Sequence, residues 1–138
     1  MNIRSFQLSD YAHVNQLLKR VLSESCYAET IEALACQLSY DSGLVLVAQA
    51  GERIAGILIG TVDRHQGYFY RIAVDPPHRG RGIAKALIAE MRQRFMKRNV
   101  RHVFVALDHH NRPLMPLYES LGLPVWENIH QLKIVSGS

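Results

Sequence analysis

Val74-Asp75-Pro76-Pro77-His78-Arg79-Gly80-Arg81-Gly82-Ile83-Ala84-Lys85 is the stretch on which the fold turns. An apolar strand stops at Val74, two prolines redirect the chain, and two glycines lead into a helix. Proline fixes φ and offers no ladder N–H, so Pro76 ends the strand. A helix start exposes unpaired backbone N–H groups and the positive end of the helix dipole, which together attract a phosphate. Gly80 and Gly82 permit close approach and left-handed dihedrals, and Arg79 and Arg81 add positive charge at the mouth. Two other phosphate loops are excluded. A Walker A loop needs Gly-Lys-Ser/Thr, whereas Lys85 stands between Ala84 and Ala86. The dinucleotide fingerprint needs Gly or Ala three residues past its second glycine, and Lys85 occupies that place. At this point a glycine-rich βα turn that binds nothing is the plain alternative.

Outward from the turn, Ile83, Ala84, Leu87, Ile88, Met91 and Phe95 recur at helical spacing and predict a helix ended by Asn99. Upstream, Leu44–Gln49, Arg53–Val62 and Gly67–Val74 read as strands, the first two joined by the hairpin signal Ala50-Gly51-Glu52. Asn2–Leu8 predicts a first strand. Ser9 is the expected cap of a helix from Asp10 to Leu22, whose apolar stripe is Val14, Leu17, Leu18, Val21 and Leu22. Ser23–Ala28 reads as a loop before a second helix, Glu29–Tyr40. Downstream come a strand, Val100–Leu107, and a short helix reaching Leu121 and ended by Gly122. One or two closing strands are expected within Pro124–Val135. The order β-α-α-β-β-β-α-β-α-β-β predicts an α/β (α+β) fold, a mixed sheet with helices on both faces. The crossover through the basic helix is expected to be parallel and right-handed.

The 138 residues are 48% hydrophobic and 20% charged, as befits one packed domain over 1–138. The N-terminus lacks the apolar core of a signal peptide. The most apolar stretch, Ile54–Gly60, is too short to span a bilayer. A cytoplasmic protein with no membrane partner is expected, with Cys26 and Cys36 as thiols. The net charge is +4, and the surplus is concentrated between Arg79 and Arg101. A basic half suggests an anionic ligand, either nucleic acid or a phosphorylated cofactor. Arg92, Arg94, Lys97 and Arg98 are expected to form a solvated helix face.

Arg79-Gly80-Arg81-Gly82-Ile83-Ala84 matches the pattern Gln/Arg-x-x-Gly-x-Gly/Ala, and here the chain resembles the GNAT superfamily of N-acetyltransferases. Ile72-Ala73-Val74-Asp75-Pro76 looks like the usual lead-in strand. A second match follows downstream in Asn111, Tyr118 and Gly122-Leu123. The opening Ile3-Arg4 through Asp10 is also typical, so the resemblance spans essentially the whole chain. It implies a mostly antiparallel central sheet and acetyl-CoA as cosubstrate; no metal is expected. The backbone of Ile72, Ala73 and Val74 would pair with the pantetheine arm. The backbone N–H groups from Arg79, Gly80, Arg81, Gly82, Ile83 and Ala84 would hold the pyrophosphate. Asn111 would contact the pantetheine, and Tyr118 would face the thioester sulfur. Acid–base chemistry suits that last role. A phenol with a pKa of about 10 is protonated at neutral pH and can give its proton to a departing thiolate, whose acid has a pKa of about 8.5.

The chain departs from the family pattern at several positions. Pro116 falls between Asn111 and Tyr118 and is tolerable only in a first helical turn, so this helix is expected to begin late. Leu123 replaces Phe, and Leu114 replaces a small Ala. The family often carries a Glu on the strand before the phosphate turn; here that region reads His65-Gln66-Gly67-Tyr68-Phe69-Tyr70, with no carboxylate. His65, with an intrinsic pKa of about 6.5, is the candidate base, and Tyr68 or Tyr70 could hold a water. Glu24, Cys26 and Tyr27, with Tyr68 and Tyr70, are the expected acceptor-site residues. Asp108-His109-His110 is not read as a metal site, because adjacent residues point apart. The expected activity is transfer of acetyl to a primary amine of a small molecule or protein, by direct attack in a ternary complex. The rivals are a non-catalytic acyl-CoA sensor and a nucleic-acid binder using the basic helix, which would lose affinity steeply with salt. The acceptor, the range of acyl groups and a homodimer are left open.

Overall fold

Three consecutive apolar segments build the centre of the sheet. β2 (Val45–Ala50), β3 (Arg53–Asp63) and β4 (Gln66–Val74) pair antiparallel in chain order, and β1 (Asn2–Ser5) pairs antiparallel with β2. Gly51 at φ +63° and Arg64 at φ +57° make the two tight turns. The computed structural model describes residues 1–106, 112–120 and 125–126. Among these, β5 (His102–Ala106) lies parallel to β4, and β6 (Val125–Trp126) parallel to β5. The sheet order is β1-β2-β3-β4-β5-β6. The mixed, mostly antiparallel sheet and the parallel crossover are as expected. The remainder of the closing-strand region lies outside the described residues.

Alternation along the strands sends side chains to two cores. Leu46, Leu58 and Phe69 meet Ile83, Leu87, Met91 and Phe95 of α3 (Ile83–Lys97) and Tyr118 of α4 (Met115–Ser120). Val45, Val47, Ile57 and Ile59 meet Val14, Leu17 and Leu18 of α1 (Tyr11–Val21) and Leu34 of α2 (Glu24–Tyr40). Burying each such aliphatic side chain contributes about 1.5–3 kcal/mol. Glycines let α3 settle on the sheet: a Cβ at Gly60 would stand 3.0 Å from Met91, and one at Gly67 2.9 Å from Phe95.

Local details differ from expectation. β1 ends at Ser5, and a 3-10 turn, Leu8–Asp10, precedes α1, so Asp10 rather than Ser9 is the N-cap. The Asp10 carboxylate accepts two bonds from Arg4, each 2.8 Å, and one from the Gln7 N–H, which pins the turn. Residues 24–28, expected as a loop, are the first turns of α2, because the Ser23 hydroxyl accepts from the Cys26 N–H and Glu24 complements the helix dipole. The α1–α2 connection is therefore only Leu22-Ser23. Arg94 and Arg98 are not a solvated face. Arg98 donates to both Asp41 oxygens, at 2.6 and 3.1 Å, and Arg94 donates to the Gly43 carbonyl at 2.9 Å, tying α3 to the segment before β2. Pro116 falls in the first turn of α4, which begins late as expected.

Candidate active site

The site begins with an irregularity in β4. The β3–β4 register runs through Ile59↔Arg71 and resumes at Gly60↔Phe69, leaving Tyr70 as an extra residue. Such a bulge breaks the alternation of faces. Phe69 and Ile72 join the core under α3, while Tyr70 packs against the α1–α2 core and Arg71 reaches Thr30 of α2. At the same place β4 and β5 part. Their pairing runs from Gln66↔His102 to Phe69↔Val105, and β4 continues to Val74. Tyr118 sits at this fork, fully buried, its ring 6.5 Å from that of Phe69.

Beyond the fork is a cavity of about 360 Å³. Ile72, Ala73 and Val74 of β4 line it, with His78, Arg79 and Gly80 of the turn, Ile83 and Ala84 at the start of α3, and Leu114 and Leu117 beside and within α4. Val21, at the end of α1, also reaches it. Gly80 and Gly82 both adopt φ +79°, and a Cβ on either would meet nothing within 4 Å. Space over the turn is therefore open, and the backbone demands glycine there. Gly82 is the N-cap of the 15-residue α3 and has no side chain with which to cap its first N–H groups. Arg79 Nε donates to the Val74 carbonyl at 3.1 Å and closes the turn. An apolar slot ending on such a cradle fits an extended thiol arm carrying a diphosphate. Asp75 braces the turn from below, 3.3 Å from Arg20 Nη2 of α1 and 3.8 Å from His78 Nδ1.

Of the expected acceptor residues, Cys26, Tyr27 and Tyr70 pack against the α1–α2 core, and Tyr68 joins Phe104 and Ala106. Tyr27, in the first turns of α2, donates its hydroxyl proton to Asn15 of α1, and Lys19 Nζ lies 5.6 Å over its ring. Glu24 is exposed and Cys26 half-buried. Tyr68 is buried, stacked on Phe104 at 5.6 Å and bonded to Gln66 Oε1 at 2.6 Å. Burial, and then the Asp63 carboxylate, hold its phenol above the ordinary value. His65 is not brought to the cavity. It sits in the β3–β4 turn with Nδ1 3.2 Å from the Asn99 carbonyl, five extended residues or roughly 16 Å from the bulge. Asn111, Asp108-His109-His110 and Gly122-Leu123 lie outside the described residues. Sequence reasoning missed Arg71 and His78. A lone charge inside the apolar run Tyr68–Val74 was the available signal for Arg71.

A sheet that forks beside an apolar slot, with a glycine cradle at the slot's end, gives room for an extended ligand with an anionic end. Residues 11–123 match the family described as Acetyltransferase (GNAT) family, and the chain belongs to it. It is 31% identical over 121 residues to an acetyltransferase of Pectobacterium atrosepticum, covering 88% of this chain and 86% of the relative. An acetyltransferase of Sodalis glossinidius is 28% identical over 129 residues, 94% of this chain and 91% of that one. Among solved structures, the PaiA N-acetyltransferase of Thermoplasma acidophilum in complex with coenzyme A superposes with a TM-score of 0.69 at 14% identity, covering 87% of each chain. The protein is an acetyltransferase, and its family carries acetyl transfer from acetyl-CoA.

Proposed function

We propose that this chain moves the acetyl group of acetyl-CoA to a primary amine of a small molecule or protein, by direct attack in a ternary complex with no acyl-enzyme. The observation that carries the reading is Tyr118, buried against Phe69 where β4 and β5 part. Bound acetyl-CoA supplies a thioester whose carbonyl carbon takes the amine nitrogen as the C–S bond breaks. Tyr118 gives its hydroxyl proton to the sulfur. The backbone of Ile72, Ala73 and Val74 would lie along the thiol arm. The N–H groups from Gly80 to Ala84 would hold the diphosphate, whereas the Arg79 N–H, expected among them, is donated to the Pro76 carbonyl at 3.2 Å. Tyr70 and Tyr27 form the acceptor wall on the α1–α2 face, with Glu24 at its edge. A water beside Tyr70 takes the amine proton, since His65 sits in the β3–β4 turn, away from the cavity.

The test is CoA release, followed with a thiol reagent, against spermidine, kanamycin, L-lysine and an alanine-initiated hexapeptide. Saturable release with at least one amine, and a product heavier by one acetyl group, is expected. Tight acetyl-CoA binding with no release to any of the four would favour the sensor instead.

A further inference from the structure

Among the described residues, Arg71 is the largest fully buried side chain. Burying a guanidinium in a strand is costly unless its donors find partners, and an apolar residue of equal volume would serve packing at least as well. What arginine adds is a planar, directed set of donors. Nε donates to Thr30 Oγ1 at 3.0 Å, and the guanidinium carbon lies 4.9 Å over the Tyr70 ring. Thr30 is also fully buried, and its hydroxyl donates to the Cys26 carbonyl at 2.7 Å. One cation thus joins the bulged residue of β4 to the first turns of α2, where Cys26 and Tyr27 sit. The bulge makes this geometry, because it turns Tyr70 and Arg71 to the same face. Ile72 and Ala73, the next residues, line the cofactor cavity, and Arg71 does not.

We propose that Arg71 is a positioning residue for the amine acceptor. It holds the Tyr70 ring and the start of α2 in fixed relation to the fork, so that the acceptor wall is preformed. The inference rests on the reading that the amine approaches from the α1–α2 face.

The test uses the full chain, acetyl-CoA, and whichever of the four panel amines has the highest kcat/KM. Arg71→Met keeps an unbranched stem of similar bulk and removes the fork. Acceptor KM should rise about tenfold, the worth of one directed contact, while kcat and the calorimetric Kd for acetyl-CoA stay within about twofold. Thr30→Val removes the oxygen that receives Arg71 Nε, together with its own bond to the Cys26 carbonyl, and should raise acceptor KM about threefold. Arg71→Lys restores the charge without the planar fork and should fall between the parent and Arg71→Met. Parallel losses in acceptor KM and acetyl-CoA affinity would mark Arg71 as a general structural residue and overturn the inference. Acceptor KM unchanged in Arg71→Met and Thr30→Val would do the same. Should Arg71→Met fail to fold, Thr30→Val decides alone. If none of the four amines releases CoA from a chain that binds acetyl-CoA, the proposed transfer has failed and the inference falls with it.

Discussion

Tyr118→Phe removes one oxygen from a ring with no exposed surface and leaves its packing on Phe69 intact. The buried apolar area is unchanged, so the stability cost is confined to the hydrogen bonding of the hydroxyl, about 0.5–1.5 kcal/mol. The thiol arm and the diphosphate would be held by other residues, Ile72 to Val74 and the turn before α3, and the Kd should move by no more than about twofold. The departing sulfur, by contrast, loses its proton donor. A positioned acid contributes a factor of about 10² to 10⁴, or about 3–5 kcal/mol of transition-state stabilisation. The assay is single-turnover CoA release beside calorimetric binding on one preparation, so that product release does not mask chemistry. A large fall in rate at constant Kd is the signature of an interaction made in the transition state. A single-turnover rate within about twofold of the parent would show that Tyr118 is not the acid. A collapse in affinity would instead assign Tyr118 to shaping the cavity, through the α4 turn that holds Pro116.

Three further outcomes follow from the geometry. His65→Ala should leave the acidic limb of the kcat/KM–pH profile where it was, and loss of that limb would restore His65 as the base. Arg4 holds the Asp10 carboxyl, and Arg98 the Asp41 carboxyl, below the usual range. Their stabilisation is therefore complete above the unfolded carboxylate value of about 3.9 and lost as pH falls through the lower folded values. Asp41→Asn should lower the Tm at neutral pH and flatten the loss of stability below about pH 4 in an acid titration followed by circular dichroism. Gly67→Ala should destabilise by about 1–3 kcal/mol in a urea melt, because its Cβ would meet the Phe95 ring at 2.9 Å.

What could be read in advance depended on how local the cause was. α3 and the turn before it were legible because stripe, cap and stop all lie within one window. Gly82 opens the helix and Asn99, at φ +60°, closes it. Pro116 likewise announced a late start for α4. The bulge at Tyr70 had no local mark, since it exists only in the register between β3 and β4. Without it the face taken by Arg71 could not be assigned, and the residue passed unnoticed. Distance along the chain also misled at His65. It stands close to β4 in sequence, but at the end of the strand away from the cavity. Arg94 and Arg98 look like a solvated face by helical period, and their partners at Gly43 and Asp41 are more than fifty residues away. Ser23 was a local signal overlooked, a serine cap followed at once by an acidic first turn.

The central claim is that the glycine cradle at the start of α3 holds acetyl-CoA, and titration calorimetry of acetyl-CoA into the parent and Gly82→Asp tests it most directly. At φ +79° the aspartate strains the backbone by about 1–2 kcal/mol, and it puts a carboxylate where the diphosphate would lie. A Gly82→Ala control carries the same strain without the charge. The account predicts one-to-one binding in the parent, weaker binding in Gly82→Ala, and none in Gly82→Asp that remains folded by circular dichroism. Absence of binding heat in the parent at millimolar acetyl-CoA would contradict it, as would equal affinity in the parent and Gly82→Asp.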